Sequence, residues 1–476
     1  MKFIANTSDL SKYLKVPISK NKIITNISID TRTIQKDSLF IAIQGKNFDG
    51  NDFVNDAIAK GAVIVIADNK RYKNNQNKKI IYVRNSILAL KKITQNILKS
   101  YDGRVIAITG SNGKTTTTNI ISKTLGNSSS TLKNFNNEIG MPLSVMNASP
   151  KSKYLVLEIG ASKFKDIDYL SKILKPSIGV ITNIGHSHLE KLRNINGVFK
   201  VKSEIIKNIQ KGGILIVPSD NKDHLDKWKK MRSDLKVYSF GISKDSDFYA
   251  TDIKTKTNGL TFTICSEKIN KPVQINSFLE GQHNINNILA GFAVYYCYKF
   301  NLADDRYLNP KGWGEMDYSA VPLTYVTTSE PKRFCATLTN AKHFKNVRQI
   351  KSKWINGSIL INDTYNANPD SAKKSIDLLS NYKKNTVLVL GDMLELGRYK
   401  KKLHKEIGKY AKAKGINKLL GYGDLTKQTA DIFGKNGIFF KKEDDLKAYL
   451  KENITSKDVI LIKGSRGMKM ERFIDV

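Results

Sequence analysis

Short, β-branched apolar runs recur along this chain between stretches of helical period, and that alternation restricts it to parallel α/β architecture. In the first hundred residues LFIAI (39–43), AVIVIA (62–67) and KIIYV (79–83) read as strands, with a helix over FVNDAIAKG (53–61) between two of them. From residue 104 the strands are RVIAIT, YLVLEIG, SIGVITN and GGILIVP. A polar stretch, FYATDIKTKTNGLTFTI (248–264), then reads as a hairpin or meander. A third series runs through GSILIND (357–363), NTVLVLGD (385–392), NKLLGYG (417–423) and DVILIKG (458–464). At 476 residues the chain is too long for a single core. The expected fold class is α/β in three domains, residues 1–103, 104–343 and 344–476.

One stretch departs from this pattern. Isoleucine is absent from residues 289–349, although it is frequent on both sides. Within that stretch, residues 310–341 read as an insertion or a divergent connection at the junction of the second and third domains. The opposing expectation is that Trp313, Tyr318, Leu323, Tyr325 and Phe334 fill a core.

Composition narrows the function classes. The formal charge of +36 invites a nucleic-acid or membrane-surface partner. Its lysines, however, are scattered, and no zinc-finger spacing, RNP-like aromatic motif or long basic tail accompanies them. Solvated basic faces that attract small polyanions are the expectation, with no nucleic-acid partner. Three distant cysteines, Cys265, Cys297 and Cys335, suit a reducing compartment and form no zinc site. The first residues lack the apolar region of a signal peptide, and no apolar run approaches the roughly 18 residues a membrane helix needs. A cytoplasmic chain with no membrane insertion is expected.

The sharpest local signal is RVIAITGSNGKTTTTNIISKTLG (104–126), a strand, a glycine loop and a helix. Gly110, Ser111, Asn112 and Gly113 form a turn whose backbone N–H groups can close around phosphate oxygens, helped by the helix dipole. Lys114 can reach the terminal phosphates, and the Thr115 hydroxyl can ligate Mg²⁺. Ligands of open parallel sheets gather at the carboxyl ends of the strands. There Glu158 closes YLVLEIG, while His186 and His188 follow GVITN. Singly, Glu158 could be a strand-end carboxylate and His188 a loop histidine; their shared position suggests a second cation site with oxygen and nitrogen ligands. Two dense polar turns add to this, TLKNFNNEIGMP (131–142) with Asn136 and Asn137, and NDTYNANPDS (362–371) with Asp363 and Asn366. Either alone is also compatible with a capped turn.

In this order TGSNGKTT, NFNNEIGMPLS, LEIGAS, TNIGHSHLE, KSEI, GQHNINNILA, NDTYNANPDS, LGDMLELG and KGSRGMKMER resemble the blocks of the Mur ligase family over nearly the whole chain. SIDTRTIQKDSLFIAIQGKNFDG is similar to that family's UDP-binding domain. NNEIG, TYNANPDS and LGDMLELG resemble the branch that adds D-alanyl-D-alanine. The resemblance implies an N-terminal UDP-binding domain, a central P-loop ATPase domain with a parallel sheet and a Rossmann-like C-terminal domain. It also implies ATP and Mg²⁺ as cofactors, UDP-MurNAc-tripeptide and D-alanyl-D-alanine as substrates, an acyl-phosphate intermediate and a monomeric enzyme of peptidoglycan precursor synthesis.

Roles follow by the same resemblance. Gly110 to Gly113, Lys114, Thr115 and Thr116 would hold the ATP phosphates. His283, Asn284 and Asn287 would lie near the adenine, and Arg348, Asp363 and Asn366 would reach the nucleotide from the third domain. Thr115, Glu158, His188 and Lys202 would serve metal, with Lys202 carbamylated and Lys114, Lys202 and His188 counted as catalytic. Ser28, Asp30, Thr31 and Arg32 would meet the UDP moiety, and Asn136 and Asn137 the sugar-peptide. The family's glycine before the third-domain arginine is replaced by Val347. Three alternatives remain: another Mur ligase or folylpolyglutamate-type amide ligase, a basic P-loop ATPase stimulated by nucleic acid, and an inactive scaffold. The tripeptide-forming member's DNPR-like and YAHTPD-like blocks are absent.

Overall fold

A computed structural model describes residues 2–18, 20–45, 47–256, 259–299, 331–340 and 350–475. Three sheets follow one another along the chain. The first has four parallel strands in sequence order, β1 (Asn26–Ser28), β2 (Ser38–Ile41), β3 (Ala62–Ala67) and β4 (Ile80–Tyr82). Helices α1 (Thr7–Leu14), α2 (Val54–Ala59) and α3 (Ser86–Lys99) accompany it. Asn6 and Asn85 cap α1 and α3 through their side chains, each satisfying backbone donors that the first turn leaves open.

The second sheet is built around β5 (Arg104–Thr109), which carries α4 (Lys114–Leu125) at its carboxyl end. It continues through β6 (Ser128–Ser130), α5 (Gly140–Met146), β7 (Tyr154–Glu158), α6 (Asp166–Leu174) and β8 (Ile178–Ile181). Then come α7 (Leu189–Leu192), α8 (Ile195–Ser203), β9 (Ile214–Pro218), α9 (Lys222–Met231) and β10 (Lys236–Gly241). Strands β11 (Phe248–Lys256), β12 (Gly259–Cys265) and β13 (Val273–Ser277) complete it, β12 pairing antiparallel with both neighbours. The expected meander is therefore present. The strand order β13-β12-β11-β10-β9-β8-β5-β7-β6 sets β5 between β7 and β8. The connections run to opposite sides there, β5 to β6 on one and β7 across to β8 on the other, which opens a crevice at the carboxyl end of β5. Along β5 the side chains alternate: Val105 and Ala107 join one core, Ile106 and Ile108 the other, as a sheet covered on both faces requires.

Helix α10 (His283–Lys299) follows, and α11 (Pro331–Thr339) packs on it. Phe334 of α11 is fully buried, with ring centroids 5.2 Å from Phe292 and 5.3 Å from Tyr295. The described part of the isoleucine-free stretch thus belongs to the middle unit's core, as the opposing expectation had it for Phe334. Residues 310–330 and 341, with Trp313, Tyr318, Leu323 and Tyr325, lie outside the described residues, as does Arg348.

The third sheet contains β14 (Ile350–Lys353), β15 (Ile359–Asp363), β16 (Asn385–Gly391), β17 (Lys418–Tyr422), β18 (Gly437–Phe440) and β19 (Asp458–Lys463) in the order β14-β15-β19-β16-β17-β18. All pairs but β14–β15 are parallel. Its helices are α12 (Pro369–Ser380), α13 (Lys400–Ala413), α14 (Thr426–Phe433) and α15 (Glu443–Asn453). Asn368 starts α12 with a capping box, and Pro369 occupies the first turn, where a missing N–H costs nothing. Among the described residues no helix is long and apolar enough to cross a membrane.

Candidate active site

The carboxyl ends of the second and third sheets face one another across a cleft of about 1180 Å³, more than the ~300–1,000 Å³ usual for one small ligand. Its floor is the loop from β5 to α4. Gly110 (φ +145°) and Gly113 (φ +80°) hold backbone conformations that side chains resist. A Cβ at Gly110 would also strike Thr182, and one at Gly113 would strike Asn287. Asn112 N donates to Asn183 Oδ1 (3.0 Å), and Asn112 O accepts from Asn183 Nδ2 (2.9 Å) and Thr182 Oγ1 (2.5 Å). The loop is therefore pinned to the end of β8. Gly113 begins α4 without a side-chain cap, which leaves first-turn N–H groups for an anion. Lys114 Nζ donates to Gly110 O at 2.8 Å, so its ammonium lies over the loop.

Beside it, Thr115 Oγ1 donates to Glu158 Oε2 (2.8 Å), and Asn136 Nδ2 donates to Glu158 Oε1 (2.7 Å). The two asparagines of NNEIG do different work: Asn137 Oδ1 accepts from Gly140 N at 2.8 Å, starting α5. Lys202, at the end of α8, is 1% exposed. Burial and then the charge of Lys114 push its amine down to about 7, against the pull of Glu158, Asp166 and Glu204. His188 adopts φ +51° before α7, with Nδ1 2.5 Å from Glu395 Oε2 of the third unit. That pairing lowers the Glu395 carboxyl. A hydroxyl and a carboxylate beside a phosphate loop suit a hard cation that draws its other ligands from phosphate and water. Among the described residues no three His, Cys, Asp or Glu side chains converge on one point, so a complete protein cage is not built here.

The first turn of α10 forms the next wall. His283 is pushed down to about 3 by desolvation, then by the Lys374 charge, and stands neutral. Asn284 Nδ2 donates to Glu280 O (2.6 Å) and its Oδ1 accepts from Asn287 Nδ2 (2.9 Å). Thr117 Oγ1 donates to Asn287 Oδ1 (3.3 Å), fastening α10 to α4. Opposite, Asp363 Oδ2 accepts from Lys463 Nζ (2.7 Å) and Ser375 Oγ (2.6 Å). This ion pair is nearly buried, and Lys463 Nζ also donates to Asn366 O (2.9 Å).

Ser111 to Thr116, Asn136, Asn137, Glu158, His188, His283, Asn284, Asn287, Asp363 and Asn366 thus line one cleft. Gly110, the loop's first residue, and the buried Lys202 are not part of the lining. Ser28, Asp30, Thr31 and Arg32 do not line it. They form a separate turn in which Asp30 pairs with the exposed Arg32 (2.7 Å) and Ser28 Oγ donates to Asp30 O (3.0 Å). Sequence reasoning missed Lys374, Glu395, Lys463 and Arg466, all in the lining. LGDMLELG and KGSRGMKMER hold three of them, but single lysines do not stand out among 79 Lys and Arg.

Family models match in three consecutive parts: "Mur ligase family, catalytic domain" over residues 23–99, "Mur ligase middle domain" over 108–295 and "Mur ligase, glutamate ligase domain" over 347–466. The chain is 36% identical to UDP-N-acetylmuramoyl-tripeptide--D-alanyl-D-alanine ligase of Buchnera aphidicola subsp. Baizongia pistaciae, covering 95% of this chain and 92% of that protein. Against the Bacillus subtilis protein of the same name the identity is 31%, covering 99% and 97%. The fold is similar to the crystal structure of MurF from Acinetobacter baumannii, with TM-score 0.79 and 24% identity over 97% of this chain and 94% of that one. It is also similar to MurF ligase from Thermotoga maritima in complex with ADP, with TM-score 0.74 and 24% identity over 94% and 96%. Matched along nearly its whole length and in each of its three sheets, the chain belongs to the Mur ligase family.

Proposed function

We propose that the chain is an ATP-dependent ligase joining D-alanyl-D-alanine to UDP-MurNAc-tripeptide in peptidoglycan precursor synthesis. The observation that carries this is a glycine-bent phosphate loop and a Thr115–Glu158 pair in one cleft, within a chain related along its length to ligases of that name. The terminal carboxylate of the tripeptide attacks the γ-phosphorus of ATP. An O–P bond forms, the bond to the β-phosphate oxygen breaks, and ADP leaves an acyl phosphate. The dipeptide amine, in its neutral form, then attacks the acyl carbon, phosphate departs from the tetrahedral intermediate, and the nitrogen gives up a proton to phosphate or water as the amide forms.

Both steps develop negative charge, so preorganised positive groups do most of the work. The α4 N–H groups and Lys114 bind and orient the phosphates. Mg²⁺ supplies charge neutralisation when bound with the nucleotide. Thr115 would serve the first ion, with Glu158, His188 and a carbamylated Lys202 assigned to a second; the Thr115–Glu158 hydrogen bond brings the two sites side by side. His283, Asn284 and Asn287 are assigned to the adenine, Asp363 and Asn366 to the nucleotide from the third unit. Ser28, Asp30, Thr31 and Arg32 are assigned to the UDP moiety. In support, β1 ends beside their turn and packs on α5, whose N-terminus carries Asn136 and Asn137. Domain boundaries at 103 and 343 fit between the sheets. Free cysteines suit the cytoplasm, and the resemblance assigns a monomer. Phosphate release should require ATP, Mg²⁺, UDP-MurNAc-tripeptide and D-alanyl-D-alanine together. Equal stimulation by single-stranded DNA alone would overturn the reading in favour of a nucleic-acid-dependent ATPase.

A further inference from the structure

Two residues at the start of α12 reach across the cleft into the phosphate loop and its support. Asn368 Nδ2 donates to Asn112 Oδ1 at 2.9 Å, and Asn112 Nδ2 lies 3.4 Å from Asn368 Oδ1. Two residues later, Asp370 Oδ2 accepts the backbone N–H of His186 at 2.5 Å, and its Oδ1 lies 3.1 Å from His186 Nδ1. The segment it grips is bound to the loop. Ser111 Oγ donates to Gly185 O (3.0 Å) and lies 2.9 Å from Gly185 N, and Ser187 Oγ donates to Ser111 Oγ (2.9 Å). The joint is tight, because a Cβ on Gly185 would collide with the Asp370 carboxylate.

We infer that Asn368 and Asp370 are positioning residues that hold the phosphate loop in its working geometry only while the third unit is docked. Each acts through another residue, Asn368 through Asn112 and Asp370 through the 185–187 backbone to Ser111. Asn112 faces the cleft with its side chain held from the third unit and its backbone held from β8. Undocking frees the first without touching the second. Loss of either contact should loosen the loop from the side of the third unit while its anchorage to β8 persists.

This inference rests on the loop's being the ATP site, and the test separates the two. Asn368→Asp keeps the cap that Ser371 N makes on Oδ1 (2.8 Å) but removes the donor to Asn112. Asp370→Ala removes the acceptor, whereas Asp370→Asn keeps one. Gly185→Ala wedges the joint apart. Amide exchange is read first, without substrate, in the full-length protein. Asn368→Asp, Asp370→Ala and Gly185→Ala should each speed exchange in residues 110–116 by about tenfold, in line with the loss of one or two hydrogen bonds. Asp370→Asn should stay near wild type. In turnover, the first three should raise the KM for ATP by a similar ~10-fold while leaving that for the UDP-tripeptide unchanged. The Asn112→Ala, Asn368→Asp pair should be no worse than either single change. Unaltered exchange in the loop, or fully additive effects for that pair, would overturn the clamp. Loop exchange that responds as expected in a wild-type protein with no ATP-dependent turnover would overturn the ATP reading and leave the clamp standing.

Discussion

Lys114 donates to Gly110 O at the surface of the cleft, and no core depends on it. Lys114→Ala should therefore reduce turnover by about 10²-fold or more with little change in melting temperature, because what it loses is charge stabilisation in the transition state. Near-normal phosphate release in that variant would remove the loop from the mechanism. Lys202 poses a different question at the same scale. An amine adds CO₂ only in its neutral form, and burial with the nearby Lys114 charge brings Lys202 down to about 7. A mass increase matching a carbamate is expected near neutral or alkaline pH and should disappear on acidification. Lys202→Ala should impair metal-dependent turnover while UDP-tripeptide binding persists. An unmodified lysine throughout that pH range would defeat the assignment. Single-residue chemistry was legible where a local pattern framed it, as at Gly110, Lys114 and Thr115. It was illegible where the partner is distant in sequence: Asn112 meets Asn368 256 positions away, and no periodicity reports such a contact.

Helix α11 is the element whose role composition alone misjudges. Its nine residues carry Phe334 and Leu338, both fully buried, against the aromatic face of α10. Phe334→Ala should cost about 3–5 kcal/mol, as aromatic truncation in a packed core does, measurable by urea denaturation. Stability within ~0.5 kcal/mol of wild type would show the helix to be peripheral. Helix α13 supplies a pH-dependent case. His404 is buried, with Nδ1 2.7 Å from Lys400 O and Nε2 accepting from Met393 N at 3.0 Å. That geometry needs the neutral ring, and burial pushes its pKa below the ordinary 6.5. The unfolded chain therefore takes up a proton that the folded chain refuses. Stability from His404 is present above about pH 6.5 and is lost as pH falls toward the folded value. His404→Gln should flatten the acid side of a melting-temperature profile; equal slopes in both proteins would refute this. Long buried strands such as β3 and β5 were legible as continuous apolar runs. Strand β6 is Ser128–Ser130 at the sheet edge, with no apolar signature to read.

The cleft takes Ile87 from the first unit, the phosphate loop from the second and Asp363 with Tyr365 to Asn368 from the third. A ligand there should stabilise the whole molecule, by about 2.7 kcal/mol at one hundred times its Kd. ADP with Mg²⁺ should therefore raise the melting of all three units together in calorimetry. A transition left unmoved would show that the corresponding unit does not share the site. The three-unit α/β architecture was legible in the strand pattern, and the formal charge of +36 was read as solvated faces. How the units meet was not legible, since their joints are made by polar side chains on loops, such as Asn112 with Asn368 and His186 with Asp370.

The placement of β19 between β15 and β16 bears on how the protein is made. Neither neighbour pairs with the other, so from the synthesis of β16 until that of β19 both present unfilled edges to the surroundings, the kind of surface that recruits foreign strands. Only when residues 458–463 emerge does the sheet close, and only then does Asp363 gain Lys463 as its buried counter-ion. A chain halted before residue 458 would keep the glycine loop and most of the cleft's residues yet carry a sheet split between β15 and β16. The two halves of the third sheet are thus joined by residues 458–463 alone, a segment separated by 94 residues from one partner strand and by 66 from the other.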